Sequence, residues 1–133
     1  MKLAIFERRA RDWEALVNWY RDVLGLKVLV RVEADGYAML EAGGVHLAIK
    51  QVGAAVNGHT NGHAEGNNRL YFAVPDLEQE LHRLESLGVP LVKPLKVTPE
   101  HYRRAVIADP EGQQICLFDW VKQDNPEFAV EGA

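Results

Sequence analysis

The chain has 133 residues, 47% hydrophobic and 26% charged, the make-up of one ordinary soluble globular domain long enough to bury a core. Its net charge of −4 weighs against nucleic acid, whose phosphates want a basic face, and leaves a neutral or cationic small molecule, or a metal ion, as the easier partner. One cysteine, Cys116, excludes an intrachain disulfide and fits a reducing cytoplasm, and no apolar run is long enough for a signal peptide or a membrane span.

Leu3 to Phe6 reads as a short apolar strand, followed by a polar connection from Glu7 to Arg11. Asp12 is a good helix N-cap, and Trp13, Leu16, Val17, Tyr20, Val23 and Leu24 then recur at helical spacing until Gly25 stops the helix. Strands are predicted over Leu26–Val32, Tyr37–Glu41 and Val45–Gln51, with turns at Ala34-Asp35-Gly36 and Gly43-Gly44. The first half is therefore β-α-β-β-β. Residues 53–68 contain four glycines and few large apolar side chains, the composition of a linker or mobile loop.

The same order then returns. Arg69–Val74 is a strand, Asp76 caps a second helix with Gln79 placed for a capping box, and Leu77, Leu81, Leu84 and Leu87 form its apolar stripe up to Gly88. Strands follow at Leu91–Val97 and Tyr102–Ala108, and the turn Asp109-Pro110-Glu111-Gly112 leads into a last strand to Trp120. Asp12 and Asp76 lie 64 apart, Gly25 and Gly88 63 apart, and Gly44-Val45-His46-Leu47 and Gln114-Ile115-Cys116-Leu117 70 apart. Three correspondences in one order mark a duplicated unit.

Asn18-Trp19-Tyr20-Arg21-Asp22-Val23-Leu24-Gly25-Leu26-Lys27-Val28, Phe72-Ala73-Val74-Pro75-Asp76-Leu77 and Asp109-Pro110-Glu111-Gly112 together resemble the vicinal oxygen chelate superfamily. This group includes glyoxalase I, bleomycin resistance proteins, fosfomycin resistance enzymes and extradiol dioxygenases. The resemblance reaches to about residue 121. It implies an α+β domain over 1–121, with one βαβββ module over about 1–52 and a second over about 69–121. Their mixed sheet would curl into a cup with the helices outside, followed by a tail over 122–133, and the chain would form a homodimer.

Enzymes of that family hold a divalent metal on His, Gln or Glu from the first and last strand of each module. Counting seven back from each helix cap gives Ile5 and Arg69, and the last strands give His46 and Cys116. Ile5 has no donor and Arg69 is a permanent cation, so the resemblance implies a cup without metal or other cofactor. Period-two alternation then assigns Ile5, His46, Ala48, Arg69, Tyr71, Gln114, Cys116 and Phe118 to the cup wall as ligand-binding residues.

Each of these side chains has a second role open to it. His46 is either a hydrogen-bonded strand residue or a base, and Arg69 binds either a ligand oxyanion or an acid of the protein itself. Cys116 reads as a small buried hydrophobe, with no catalytic cysteine signature around it, and Tyr71 and Phe118 are either packing or stacking platforms. His59 and His63 sit in the glycine-rich loop with no helix to align them, and His101 opens a polar strand edge. Glu41, Glu111 and Asp119 are candidate acids, but no spacing pairs them for acid/base work, and Ser86, the one serine, lies on the second helix. The leading expectation is a metal-free binder of an organic small molecule, similar to the bleomycin-resistance branch. The alternative is a divergent glyoxalase- or dioxygenase-type metalloenzyme using His46.

Overall fold

The hydrophobic periodicity resolves, in the computed structural model, into two runs of strand, helix and three strands; the structure describes residues 1–53 and 68–120. The first run is β1 (Ile5–Ala10), α1 (Trp13–Asp22), β2 (Lys27–Val32), β3 (Tyr37–Glu41) and β4 (His46–Gln51). The second is β5 (Leu70–Ala73), α2 (Leu77–Ser86), β6 (Lys93–Val97), β7 (Tyr102–Ala108) and β8 (Gln114–Trp120). Each run makes its own four-stranded mixed sheet, in the orders β1-β4-β3-β2 and β5-β8-β7-β6. In both, the first and last strands pair parallel and the other neighbours antiparallel. The fold is thus α+β, two tandem βαβββ modules. The linker assigned to 53–68 lies outside the described residues except for its two end residues, as does the whole tail at 122–133.

Both helices begin as the sequence requires. The Asp12 carboxylate accepts from the Ala15 amide and that of Asp76 from the Gln79 amide, each at 3.2 Å, satisfying one of the amides that a helix start leaves open. The first amide of each helix has a more distant partner. Trp13 N donates to Gln51 Oε1 at 2.8 Å, and Leu77 N to Asp119 Oδ2 at 2.8 Å, so a side chain from the last strand of each module seats that module's helix. At the other end of α2, Gly88 takes φ +78° while Gly88 N and Val89 N donate back to the carbonyls of Glu85 and Leu84. That is the paired-bond helix stop which favours glycine.

The strand β1 corrects the sequence reading. The polar stretch from Glu7 does not leave the sheet at Phe6 but continues to Ala10, paired with β4 from Ile5↔His46 to Ala10↔Gln51. A charged strand is tolerated here because of where its side chains go. Glu7 and Arg9 stand on the exposed side, whereas Arg8 points inward and is neutralised by Asp109 Oδ2, 2.8 Å from its terminal nitrogen and 3.1 Å from Nε. That partner is 101 positions away, beyond any local pattern.

The chain divides into two compact units, the first with β1–β4 and α1, the second with β5–β8 and α2, except that Asp109–Glu111 belongs to the first. The expected second module is therefore interrupted at its turn. In the first unit Trp13, Leu16, Val17 and Tyr20 of α1 are buried with Ala38, Leu40, Leu47 and Ile49 of the sheet, and Trp13 Nε1 donates to the Ile49 carbonyl at 3.1 Å. In the second, Leu77 and Leu84 of α2 are buried along with Ala105, Ile107, Ile115 and Leu117. Burying such side chains is the main stabilising term, about 1.5–3 kcal/mol for each large one.

Candidate functional site

The sheets have two faces, and the helices claim one. In the first unit Leu47 and Ile49 share the helix side, so alternation puts Ile5, His46 and Ala48 on the other, with Ile5 directly across from His46. Register adds Glu41 beside His46 and Met39 beside Ala48. Ile5 is 47% exposed and His46 half-buried, but Ala48 is sealed, so it floors this face without presenting surface.

In the second unit Arg69, Tyr71, Gln114, Cys116 and Phe118 all lie on the side away from Ile115 and Leu117. Arg69 Nε donates to Gln114 Oε1 at 3.0 Å. Tyr71 pairs with Cys116, and Ala73 with Phe118. Counting back from the helix cap had matched Arg69 to Cys116; the register instead sets Tyr71 opposite Cys116, because the two modules do not space their first strand and helix cap identically. Cys116 is fully buried, and burial pushes its thiol above the ordinary value against the pull of Arg104 and Arg69. A thiol held protonated is a poor nucleophile and a poor metal ligand.

The chelating positions that the resemblance implied therefore do not fit a metal. At those positions the first unit offers one donor, His46, across from an isoleucine, and the second a buried thiol across from a tyrosine, with a guanidinium next in line. Among the described residues no three His, Cys, Asp or Glu side chains are grouped to hold an ion. His59 and His63 lie outside the described residues. Glu111 accepts from the backbone amides of Arg11 and Asp12, and Asp119 is engaged by Arg103 and by Leu77 N, so both acids serve helix starts and ion pairs. Ser86 Oγ donates to the Arg83 carbonyl.

Sequence reasoning missed the rest of the second face. Phe118 is one corner of an edge-to-face aromatic group, with ring centroids 6.2 Å from Tyr71, 5.4 Å from Tyr102 and 5.7 Å from Trp120. Arg104 pairs with Phe118 in the register and therefore shares this side, while Arg103 points the other way to Asp119. Burial, and next the neighbouring Tyr71, raise the Tyr102 phenol above its ordinary value. The signal was available: the period of two that was followed along β8 to Phe118 reaches Trp120, and in β7 it splits His101-Tyr102-Arg103-Arg104 into two faces.

A family model described as Glyoxalase/Bleomycin resistance protein/Dioxygenase superfamily matches residues 2–117. Many solved structures are similar, among them the following three. TioX from Micromonospora sp. ML1 is 24% identical, with 89% of this chain and 98% of that one covered and a TM-score of 0.69. Lactoylglutathione lyase from Agrobacterium tumefaciens is 20% identical, with 88% and 92% covered and a TM-score of 0.70. A glyoxalase/bleomycin resistance protein/dioxygenase from Nocardioides is 23% identical, with 95% and 87% covered and a TM-score of 0.70. At these identities the likeness establishes the fold alone. No curated protein matches the chain.

Proposed function

The chain belongs to the Glyoxalase/Bleomycin resistance protein/Dioxygenase superfamily, and from that premise we propose that it binds an organic small molecule without a metal and without chemical conversion. The observation that carries this is the pairing of Ile5 with His46 and of Tyr71 with Cys116 where metal-dependent relatives would need donors. The side chains that remain are those of a recognition surface, mostly apolar and aromatic with a few polar groups to fix orientation. His46 and Gln114 supply neutral hydrogen-bonding groups, Arg69 a charged one, and Tyr71 and Phe118 flat apolar area. The reading includes a homodimer in the cytoplasm. Among the described residues no helix is long and apolar enough to cross a membrane.

The test is elemental analysis of protein purified from metal-supplemented medium, together with thermal melts against a panel of small aromatic and aliphatic compounds. The proposal expects substoichiometric metal and a melting temperature that rises with at least one compound, as mass action requires of a ligand that binds the folded state. One equivalent of divalent metal, lost in His46→Ala, would replace it with the metalloenzyme reading. Sedimentation at micromolar concentration checks the dimer.

A further inference from the structure

The acidic total charge of the chain hides a local opposite. Followed across the register of the second unit's sheet, the face bearing Cys116 carries Arg69, Arg104, Lys93 and Lys96, with Lys96 beside Arg104 and Lys93 beside Val106. None of the register-paired positions on this face, in β5, β8, β7 or β6, is Asp or Glu. Nor do the two arginines have acid partners among the described residues. Arg69 donates to the Gln114 amide oxygen and Arg104 to the Pro94 carbonyl, each at 3.0 Å, neutral acceptors that leave both guanidinium charges uncompensated and most of their five donors unassigned. The other two arginines of this unit are different: Arg83 is tied to Glu80, and Arg103 to Asp119 and Glu78. On the sheet the sealed Cys116 lies between Arg69 and Arg104, with Tyr71 directly alongside it on β5 and Phe118 two residues further on β8 beside Arg104, and Tyr71 is 52% exposed.

We propose that this face takes a planar organic anion, its aromatic body against Tyr71 and Phe118 and its oxyanion held by Arg69 and Arg104. A guanidinium fork matches a carboxylate or a phosphate in two parallel hydrogen bonds, and an aromatic edge or face attracts a flat apolar body. The net charge of the whole chain argues for neutral or cationic ligands, but recognition is decided within the roughly 10 Å over which screening leaves a charge effective, and the charged side chains at the register-paired positions of this face are all cationic. This inference rests on the small-molecule-binding reading and narrows its ligand class.

The experiment is calorimetric titration with four probes: 2-naphthoate, its neutral isostere 2-naphthamide, the non-aromatic anion cyclohexanecarboxylate, and 2-naphthyl phosphate. The expected order places 2-naphthoate or 2-naphthyl phosphate at least about tenfold tighter than either 2-naphthamide or cyclohexanecarboxylate, and the better of the two anions names the headgroup. Arg69→Gln and Arg104→Gln should each erase most of that preference by weakening the anions far more than 2-naphthamide, and Arg104→Lys should keep part of it. Raising the salt concentration should weaken the anions only. Equal affinity for 2-naphthoate and 2-naphthamide, or a preference that survives both glutamine variants, overturns the anion assignment and leaves the binding reading intact. If no probe binds, and none of the wider melting panel does, the binding reading fails and this inference with it.

Discussion

Tyr20 Oη donates to Asp109 Oδ2 across 2.8 Å, joining α1 to a turn 89 positions later in the chain. The same carboxylate oxygen accepts from Arg8, and Oδ1 accepts from the Glu111 amide, so one buried acid satisfies a phenol, a guanidinium and its own turn. Glu111, two residues on, then receives the amides of Arg11 and Asp12 at the start of α1. This is why Asp109–Glu111 belongs to the first unit.

Removing Asp109 should be among the costliest changes to the protein. Arg8 would be left 11% exposed with its charge uncompensated, a loss of about 3–5 kcal/mol for Asp109→Ala. Tyr20→Phe deletes only one donor and should cost about 1 kcal/mol. Urea unfolding of both variants decides it; a loss under about 1 kcal/mol for Asp109→Ala would mean that Arg8 finds water instead.

Tyr20 also makes stability depend on alkaline pH. Its burial first, and the Asp109 charge second, raise its phenol well above the ordinary 10.0, against a smaller lowering by Arg8. Near neutral pH the phenol is protonated in both folded and unfolded chains and contributes no pH dependence. Above pH 10 the unfolded chain releases the proton that the folded chain retains, so stability falls as pH rises, by at most about 1.4 kcal/mol per pH unit. Denaturation curves from pH 9 to 11 should show this slope in the wild type and a shallower one in Tyr20→Phe. Matching slopes would place the effect elsewhere.

Cys116 should behave as core. With the thiol sealed and its ionisation pushed up, alkylation of the native protein should run on the order of a hundredfold or more slower than in urea. Cys116→Ala should keep the fold at a cost of about 1 kcal/mol or less, since little volume is lost. Rapid labelling without denaturant would show a thiol open to solvent and ionised.

Gly36 and Gly43 separate backbone strain from collision. Both have positive φ, +59° and +78°, where a side chain costs about 1 kcal/mol. A Cβ at Gly36 would also come within 2.6 Å of Gln51 Cβ, whereas at Gly43 nothing lies within 4 Å. Gly43→Ala should therefore cost about 1 kcal/mol, and Gly36→Ala clearly more, about 2–3 kcal/mol with the overlap included. Thermal melts that rank the two equally would mean that Gln51 shifts freely. It is held, however, by the Trp13 amide at the start of α1.

What the sequence alone determined is everything governed by neighbours along the chain. The N-caps Asp12 and Asp76, the stops at Gly25 and Gly88, the helical stripes and the duplicated order are local rules, and they were legible to within a residue or two at most element ends. The face assignment of Ile5, His46, Tyr71 and Phe118 was legible too, because alternation needs only a strand and one buried neighbour. The tertiary structure alone decided matters that depend on partners far apart in sequence. Asp109 lets the charged Arg8 remain in a strand that looked finished at Phe6. The register, set by hydrogen bonding between strands 45 residues apart, puts Tyr71 and not Arg69 across from Cys116. Arg103 is neutralised by Asp119, while its neighbour Arg104 faces the other way without a carboxylate among the described residues. A buried or shared-face charge takes its meaning from the group it meets in space, and no periodicity in one dimension carries that information.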